Sequence, residues 1–363
     1  MIKYLGSKRL LLPVIVAAAR CLRGEGRALD LFSGTARVGH ALKAAGFDVV
    51  ANDHLAYAAT LARCYVEADR DRVLVDATAV LEELAHVPPR AGWFTETYCV
   101  RSRFFQPHNG ERVDAIRDAI AGMRLPPVLE AIALVSLMEA ADRVDATTGV
   151  QMAYLKSWAA RSNQTLELRM PRILPGPGRA LCAEALEAAR AVEVDVAYLD
   201  PPYNQHRYVG NYHIWETLVR WDRPEVFGVA MKRVQSREVK SDFNSKRRIH
   251  SALAELVSAV RAPHLLVSFS DEGYVAREDL EAMLAPRGHV EIVDIDFPRY
   301  VGARIGIHNP RGEKVGEVSH VRNTEHLFVV SPDPADARRA ARAAREALAG
   351  EGAVRLAPGE GLA

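Results

Sequence analysis

Apolar and polar positions divide the chain into segments of two periods. Residues 10–22 repeat leucine, isoleucine and valine with mostly helical spacing and stop at Gly24 and Gly26, which predicts a first helix. An apolar run over 28–30 ends in Asp30, a glycine-containing turn follows, and 38–45 resumes helical spacing up to Gly46. Residues 48–53 form a second predicted strand ending in Asp53, 55–68 another helix, and 72–76 a third short strand ending in Asp76. From about residue 86 the alternation is lost: 126–150 is strongly helical, 171–178 reads as a linker, and 179–191 as a helix. The β-branched run 194–199 predicts a buried parallel strand, stopped by Asp200, Pro201 and Pro202. A helix over 249–260 and strands over 264–269, 289–297 and 325–330 follow, with 299–322 suited to a long antiparallel hairpin. Beyond 331, alanine, arginine and glutamate predict a surface helix fading into a disordered tail without chemistry.

A chain of 363 residues holds one large α/β domain with an insertion, or two ordinary domains. Its formal net charge is only +1, so a nucleic-acid partner has to be argued from local basic clusters. Cys21, Cys64, Cys99 and Cys182 stand far apart, which suits neither a disulfide framework nor a zinc site, and they read as reduced thiols. The N-terminus lacks the pattern of a signal peptide, and no stretch is long and apolar enough to span a bilayer. A cytoplasmic compartment is expected.

In open α/β sheets ligands bind beyond the carboxyl ends of strands. The turn after Asp30 carries Phe32, Ser33, Gly34 and Thr35, and a small residue there lets backbone and helix amides approach a ligand. Asp53, roughly 20 positions on, is placed to accept hydrogen bonds from ribose hydroxyls, so turn and acid together point to an adenosine-bearing cofactor. Asp76 is placed to meet the adenine amine of such a cofactor, or equally to cap a helix from Thr78. Asp200 and Tyr203 project over a crevice at the end of their strand; a proline turn alone leaves both unexplained. Arg101, Arg103, His108 and Arg112 lie among Trp93, Tyr98, Phe104 and Phe105, and Lys156 and Arg161 lie near Tyr154 and Trp158. That mixture suits phosphate contact and base reading, although on composition alone an inserted helical subdomain with a solvated basic face fits better. After Tyr203 a polar, aromatic loop with Arg207 leads into the strongest basic patch, 231–248, which ends in Lys246, Arg247 and Arg248 and is placed as a backbone-phosphate track.

Lys3-Tyr4-Leu5-Gly6-Ser7-Lys8, the turn Asp30 to Thr35 with Asp53, and Asp200-Pro201-Pro202-Tyr203 together resemble the motifs of the Dam-like, alpha-group DNA adenine-N6 methyltransferases of restriction-modification systems. The order, cofactor motifs, then a target-recognition insertion, then the catalytic tetrapeptide, is followed over residues 1–330. Asn211-Tyr212-His213 and the segment Ser268 to Gly273 also look like family segments. The resemblance implies an α/β, Rossmann-like S-adenosylmethionine-dependent methyltransferase sheet with an inserted, mainly helical target-recognition domain. Its division would be 1–85 for the cofactor-binding part, 86–185 for the insertion, 186–330 for the active-site part and 331–363 for the tail.

It implies that S-adenosylmethionine is held by Tyr4, Gly6, Lys8, Asp30, Phe32, Ser33, Gly34, Thr35, Asp53, His54 and Asp76, with no metal. Catalysis would fall to Asp200, Pro201, Pro202 and Tyr203, and DNA contact to Arg101, Arg103, Lys156, Arg161, Arg207, Lys246, Arg247 and Arg248. The partners would be double-stranded DNA and a separately encoded restriction endonuclease, with the protein a monomer or weak dimer. The chemistry agrees: the adenine amine is a poor nucleophile, and the Asp200 carboxylate and Pro201 carbonyl are two acceptors able to draw its nitrogen toward sp³ geometry. Tyr203 would stack on the flipped base, offsetting part of an unstacking cost of about a few kcal/mol. One departure is Ala36, where the family usually has a second glycine; alanine is tolerated there unless positive φ is required. The alternatives are an exocyclic-amine methyltransferase acting on RNA, a cytosine-N4 enzyme, or a DNA-binding regulator without catalysis. The large insertion, Asp at position 200 and the intact tetrapeptide argue against each in turn.

Overall fold

The computed structural model describes residues 1–6, 8–147, 149–155, 157–205, 208–238, 241–298, 307–308, 314–316 and 322–356. Helix α1 (Leu12–Leu22) carries Pro13 in its first turn, where a missing N–H costs nothing, and buries Val14, Ile15, Ala18, Ala19 and Leu22. Strand β1 (Arg27–Asp30), α2 (Arg37–Ala44), β2 (Asp48–Asn52) and α3 (Ala56–Ala62) follow, α3 running on as a π turn over Arg63–Glu67. Four helices come next: α4 (Arg70–Ala85), the short α5 (Trp93–Thr95), α6 (Pro107–Met123) and α7 (Pro127–Val144). The chain returns through β3 (Gly178–Leu181), α8 (Ala185–Ala191), β4 (Val196–Leu199), α9 (Tyr208–Asn211) and α10 (His213–Arg220). A small hairpin, β5 (Val226–Phe227) with β6 (Lys232–Arg233), precedes α11 (Ile249–Ala259), β7 (His264–Ser270), α12 (Arg277–Leu284) and β8 (His289–Pro298). The short pair β9 (Ile307–His308) and β10 (Lys314–Gly316) comes before β11 (Arg322–Ser331) and the closing helix α13 (Pro334–Leu356).

Seven strands form one sheet in the order β3-β2-β1-β4-β7-β11-β8. The first five are mutually parallel, and β11 enters antiparallel between β7 and β8. Alternation along the strands feeds two cores. In the wholly buried β4, Val196 and Tyr198 join one apolar cluster and Ala197 and Leu199 the other, the mark of a strand covered on both faces. Residues of α1–α3, α6 and α7 fill the first core; α8, α11 and α12 fill the second. Chain order diverges between β1 and β4, so their carboxyl ends open a crevice at that switch point.

Three expectations need correction. The run 72–76 is helical, because Ala77, Leu81 and Leu84 supply a buried stripe of helical period and the Asp69 carboxylate caps the first turn by accepting from the Asp71 amide. The third strand is instead β3, which falls inside the expected helix over 179–191 and the expected insertion over 86–185. Gly178 is what lets β3 lie so close, since a Cβ there would sit 2.2 Å from the Val66 carbonyl oxygen. Between the π turn and β3, helices α4, α6 and α7 share one apolar core with α1–α3 and have no core of their own, and the described residues of 145–177 hold only a 3₁₀ turn at Ala160–Asn163. Lastly, α13 is not a solvated tail. Its buried Ala337, Ala340, Ala341 and Ala344 lie along one stripe, and the helix packs on α1. Most of the expected hairpin over 299–322 lies outside the described residues. Among those described, no helix is long and apolar enough to cross a membrane, and all four cysteines are free thiols.

Candidate active site

The loop after β1 is built around a buried acid. Asp30 Oδ2 accepts from the Gly39 amide at 2.9 Å and the Ser33 hydroxyl at 3.0 Å, tying turn to helix, and burial pushes its carboxyl up to about 7. Gly34 takes φ +51°, and a Cβ there would lie 3.3 Å from the Tyr4 ring. Ala36, fully buried, adopts φ 59°, so the position where this chain departs from glycine does require the left-handed region. Asp53 closes the turn from the second strand: Oδ2 accepts from the Gly34 amide and Oδ1 from the Leu55 amide, both at 3.0 Å. Burial raises its carboxyl, with the neighbouring His54 opposing.

Across the crevice the N-terminal stretch is clamped by aromatic rings. Tyr4 stacks on Tyr208 at 5.3 Å and on Tyr212 at 4.6 Å between centroids, and its hydroxyl accepts from Tyr57 at 3.3 Å. The Leu5 amide donates to the Tyr212 hydroxyl. Asn211, Tyr212 and His213 are therefore structural: all three are buried, and His213 Nε2 meets the Gln151 carbonyl at 2.9 Å. Burial pushes that imidazole down to about 3, so it stays neutral and Nε2 is the donor.

Next to this clamp, Lys8 reaches the end of β4. Its ammonium lies 3.2 Å from Asp200 Oδ1 and also pairs with Glu325 of β11. Burial opposes the charge on Lys8, but Asp200 and Glu325 outweigh it and hold the ammonium protonated. Asp200 is pushed up to about 6, chiefly by burial, with Lys8 opposing and Glu325 adding to the rise. At neutral pH it is an ionised acceptor. Pro201 is buried, and the Tyr203 ring tilts against Phe269 at 5.5 Å while its carbonyl accepts from the Tyr274 amide at 2.9 Å.

These groups line one pocket open to solvent, with Tyr4, Gly6 and Lys8 on one side and Asp30, Phe32, Ser33, Gly34, Thr35, Asp53 and His54 on another. Asp200 and Pro202 complete the wall. A second, adjoining pocket shares Phe32, Asp53, His54 and Pro202 and adds Asn52, Glu184, Ser241 and Phe243. Phe243 stands edge-on to Phe32 at 5.3 Å. Asp76 is absent from both walls, exposed on α4 because its segment is a helix away from the strand ends. The cavity also takes in Arg37, Tyr198 and Tyr208, and Glu325 stands behind Lys8. Arg37 had a signal, since it follows the glycine turn directly. Glu325 had none, being a single acid at a strand start.

Residues 4–283 match the family described as D12 class N6 adenine-specific DNA methyltransferase. The chain belongs to this family. Relatives include the StsI modification methylase of Streptococcus sanguinis, 29% identical over 82% of this chain and 48% of its own length. The type II methyltransferase M.NlaIII of Neisseria lactamica is 26% identical over 80% of this chain and 89% of its own. M.FokI of Planomicrobium okeanokoites is 28% identical over 72% and 43%. The chain thus spans about half the length of the StsI and FokI methylases. No solved structure matches it.

Methyltransferases of this family act on DNA, and the basic residues sort accordingly. Lys246, Arg247 and Arg248 are exposed, Arg248 pairing with Asp242 at 3.0 Å. Their segment is fastened to the loop after β4 where Asn244 Nδ2 donates to the Asn204 carbonyl at 2.6 Å. Elsewhere in that patch Arg233 is buried and bidentate to Asp222, and Arg237 lies over the Phe227 ring at 3.7 Å. Arg101 is exposed, and Arg103 lies over Trp158 at 4.8 Å. Arg161 is committed inward, to the Asp145 carboxylate at 2.9 Å, an internal duty that leaves little of its fork for phosphate. Lys156 and Arg207 lie outside the described residues.

Proposed function

We propose that this protein transfers a methyl group from S-adenosylmethionine to the N6 amine of a flipped-out adenine in a specific duplex DNA sequence. The observation that carries this reading is that the Asp200 side chain lines the same pocket as the glycine turn and Asp53. The donor set suits the cofactor. Each Asp53 oxygen accepts one backbone N–H and keeps a lone pair for a ribose hydroxyl, and Phe32 with Phe243 offers apolar ring faces beside it. Arg37, on the wall of the first cavity, suits a carboxylate, and the surplus of carboxylates suits a cationic ligand. S-adenosylmethionine bound there supplies an electrophilic sulfonium methyl.

The protein's part is to make the amine nucleophilic. Asp200 and the Pro201 carbonyl accept its two N–H bonds and turn its lone pair toward the methyl. As the N–C bond forms and the C–S bond breaks with its electron pair going to sulfur, N6 loses a proton, which the Asp200 carboxylate or solvent takes. Tyr203 stacks on the extruded base. Lys246, Arg247 and Arg248 follow the phosphates, and the helical stretch before β3, with Arg101 and Arg103, reads the target. A separately encoded restriction endonuclease is the proposed companion, as the type II names of relatives suggest.

The test is Asp200→Ala: methyl incorporation into DNA is expected to vanish while S-adenosylmethionine binding by calorimetry persists. Retained full activity would overturn the role of Asp200. Sequencing with modification detection, from a host expressing the wild type, reports base and target together.

A further inference from the structure

Glu325 lies beyond the residues that match the family, 4–283, yet it is part of the site's charge. The antiparallel course of β11 puts it there. Register pairs Glu325 with Ser270, the last residue of β7, so the start of β11 lies at the same sheet edge as the carboxyl ends of β4 and β7. Strand alternation fixes the direction: the next residue, His326, pairs instead with Asp294 on the edge strand at 2.7 Å.

We propose that Glu325 is a positioning residue for methyl transfer: by gripping the Lys8 ammonium it keeps that lysine on one oxygen of Asp200 and leaves the rest of the Asp200 carboxylate to accept the target amine. The inference rests on the reading of the site given above. Lys8 and Glu325 side chains are 7% and 6% exposed and Asp200 is 19% exposed, so water is a poor substitute partner for any of them. With one carboxylate and one ammonium the pair would be neutral, and the lysine would compete with adenine for the acceptor. Two carboxylates sharing one ammonium leave a net negative charge, which is what an amine developing positive charge beside a sulfonium needs.

The groups facing Asp200 are Lys8, Glu325, Asp30 on β1, Tyr198 on β4, Tyr203, and Tyr208 on α9. Burial raises all three phenols, that of Tyr203 to about 12, so they stay neutral through the working range and the pH dependence falls to Asp200 and Asp30. Glu325 favours protonation of Asp200, and its removal therefore moves the titration of Asp200 to lower pH.

The experiment compares wild type, Glu325→Gln and Glu325→Asp. It follows single-turnover methyl transfer to unmethylated genomic DNA across pH, with melting temperature and S-adenosylmethionine affinity measured on the same preparations. In parallel, the Asp200 carboxyl is titrated by ¹³C NMR in the cofactor-free protein and assigned with Asp200→Asn. Expected for Glu325→Gln are a plateau rate lower by about ten- to a hundredfold, an acid limb displaced to lower pH, and a matching displacement of the NMR titration. Glu325→Asp keeps the charge and is expected to keep the acid limb while recovering part of the plateau. An unchanged limb and titration in Glu325→Gln, whether or not the protein is less stable, overturns the proposal. Should the wild type transfer no methyl to DNA, the reading of the site fails, and the NMR titration still decides whether Glu325 acts on Asp200.

Discussion

At the scale of single residues, the proposed mechanism makes Asp200 the group that sets the working pH. Its carboxyl is pushed up to about 6 by burial and must be ionised to accept an N–H, so activity is expected to be full at neutral pH. It should fall roughly tenfold per pH unit below that value, a slope that a pH profile of single-turnover rates checks. The turn after β1 offers a second residue-level contrast. Gly34→Ala forces alanine into φ +51° and brings a methyl within 3.3 Å of Tyr4, on the cavity wall. It is expected to weaken S-adenosylmethionine binding by about tenfold or more, equivalent to about 1.4 kcal/mol, as calorimetry would report. Ala36→Gly releases left-handed strain at φ 59° but surrenders a buried methyl and loosens the unfolded chain. These terms oppose each other, and the net change in unfolding free energy is expected to stay within about 1 kcal/mol.

At the scale of elements, β11 and α13 matter more than their sequence suggests. β11 is inserted between β7 and β8, and α13 lays its alanine stripe on α1, the helix that follows directly from Lys8 and the N-terminal clamp. Small side chains let the two helices approach closely, so bulk is not accommodated. Ala341→Leu is expected to destabilise by about 1–3 kcal/mol, read as a lower melting temperature, with cofactor affinity per folded molecule unchanged. A substitution on the outer face, such as Arg342→Ala at an exposed i,i+4 pair with Glu346, is expected to leave the melting temperature within a degree or two.

At the scale of the whole molecule, net charge says little, since 47 basic and 46 acidic residues nearly cancel. What matters is that the exposed Lys246 and Arg247 are on a segment pinned to the loop after β4 through Asn244 and Asn204. Charge reversal at both is expected to weaken DNA binding and to reduce the slope of log affinity against log salt by about one unit for each phosphate left without its cation. A slope equal to that of the wild type would return the segment to ordinary surface. Arg161→Ala should act differently: it breaks a pair with the buried Asp145, so loss of stability is expected ahead of any change in salt slope.

The sequence by itself determined the parts whose physics is local. The strand end at Asp30, that expected at Asp53 and found one residue earlier, the glycine turn and the stop at Asp200 with its two prolines are set by neighbouring residues, and so most of the pocket wall was legible. Asp76 failed because a short apolar run has no reliable period, and the helical stripe over Ala77, Leu81 and Leu84 prevailed once packing gave it a partner. Tertiary structure alone decided which strand follows β2, since β3 pairs with a neighbour more than a hundred residues earlier in sequence by closing Gly178 onto Val66. It also decided that alanines of the closing helix are core, because alanine favours a helix whether or not it is covered, and only a facing helix settles the matter. The fourth acid of the site belongs to the same class: Glu325 meets Lys8 from 317 positions away, and nothing in the residues around either one encodes that meeting.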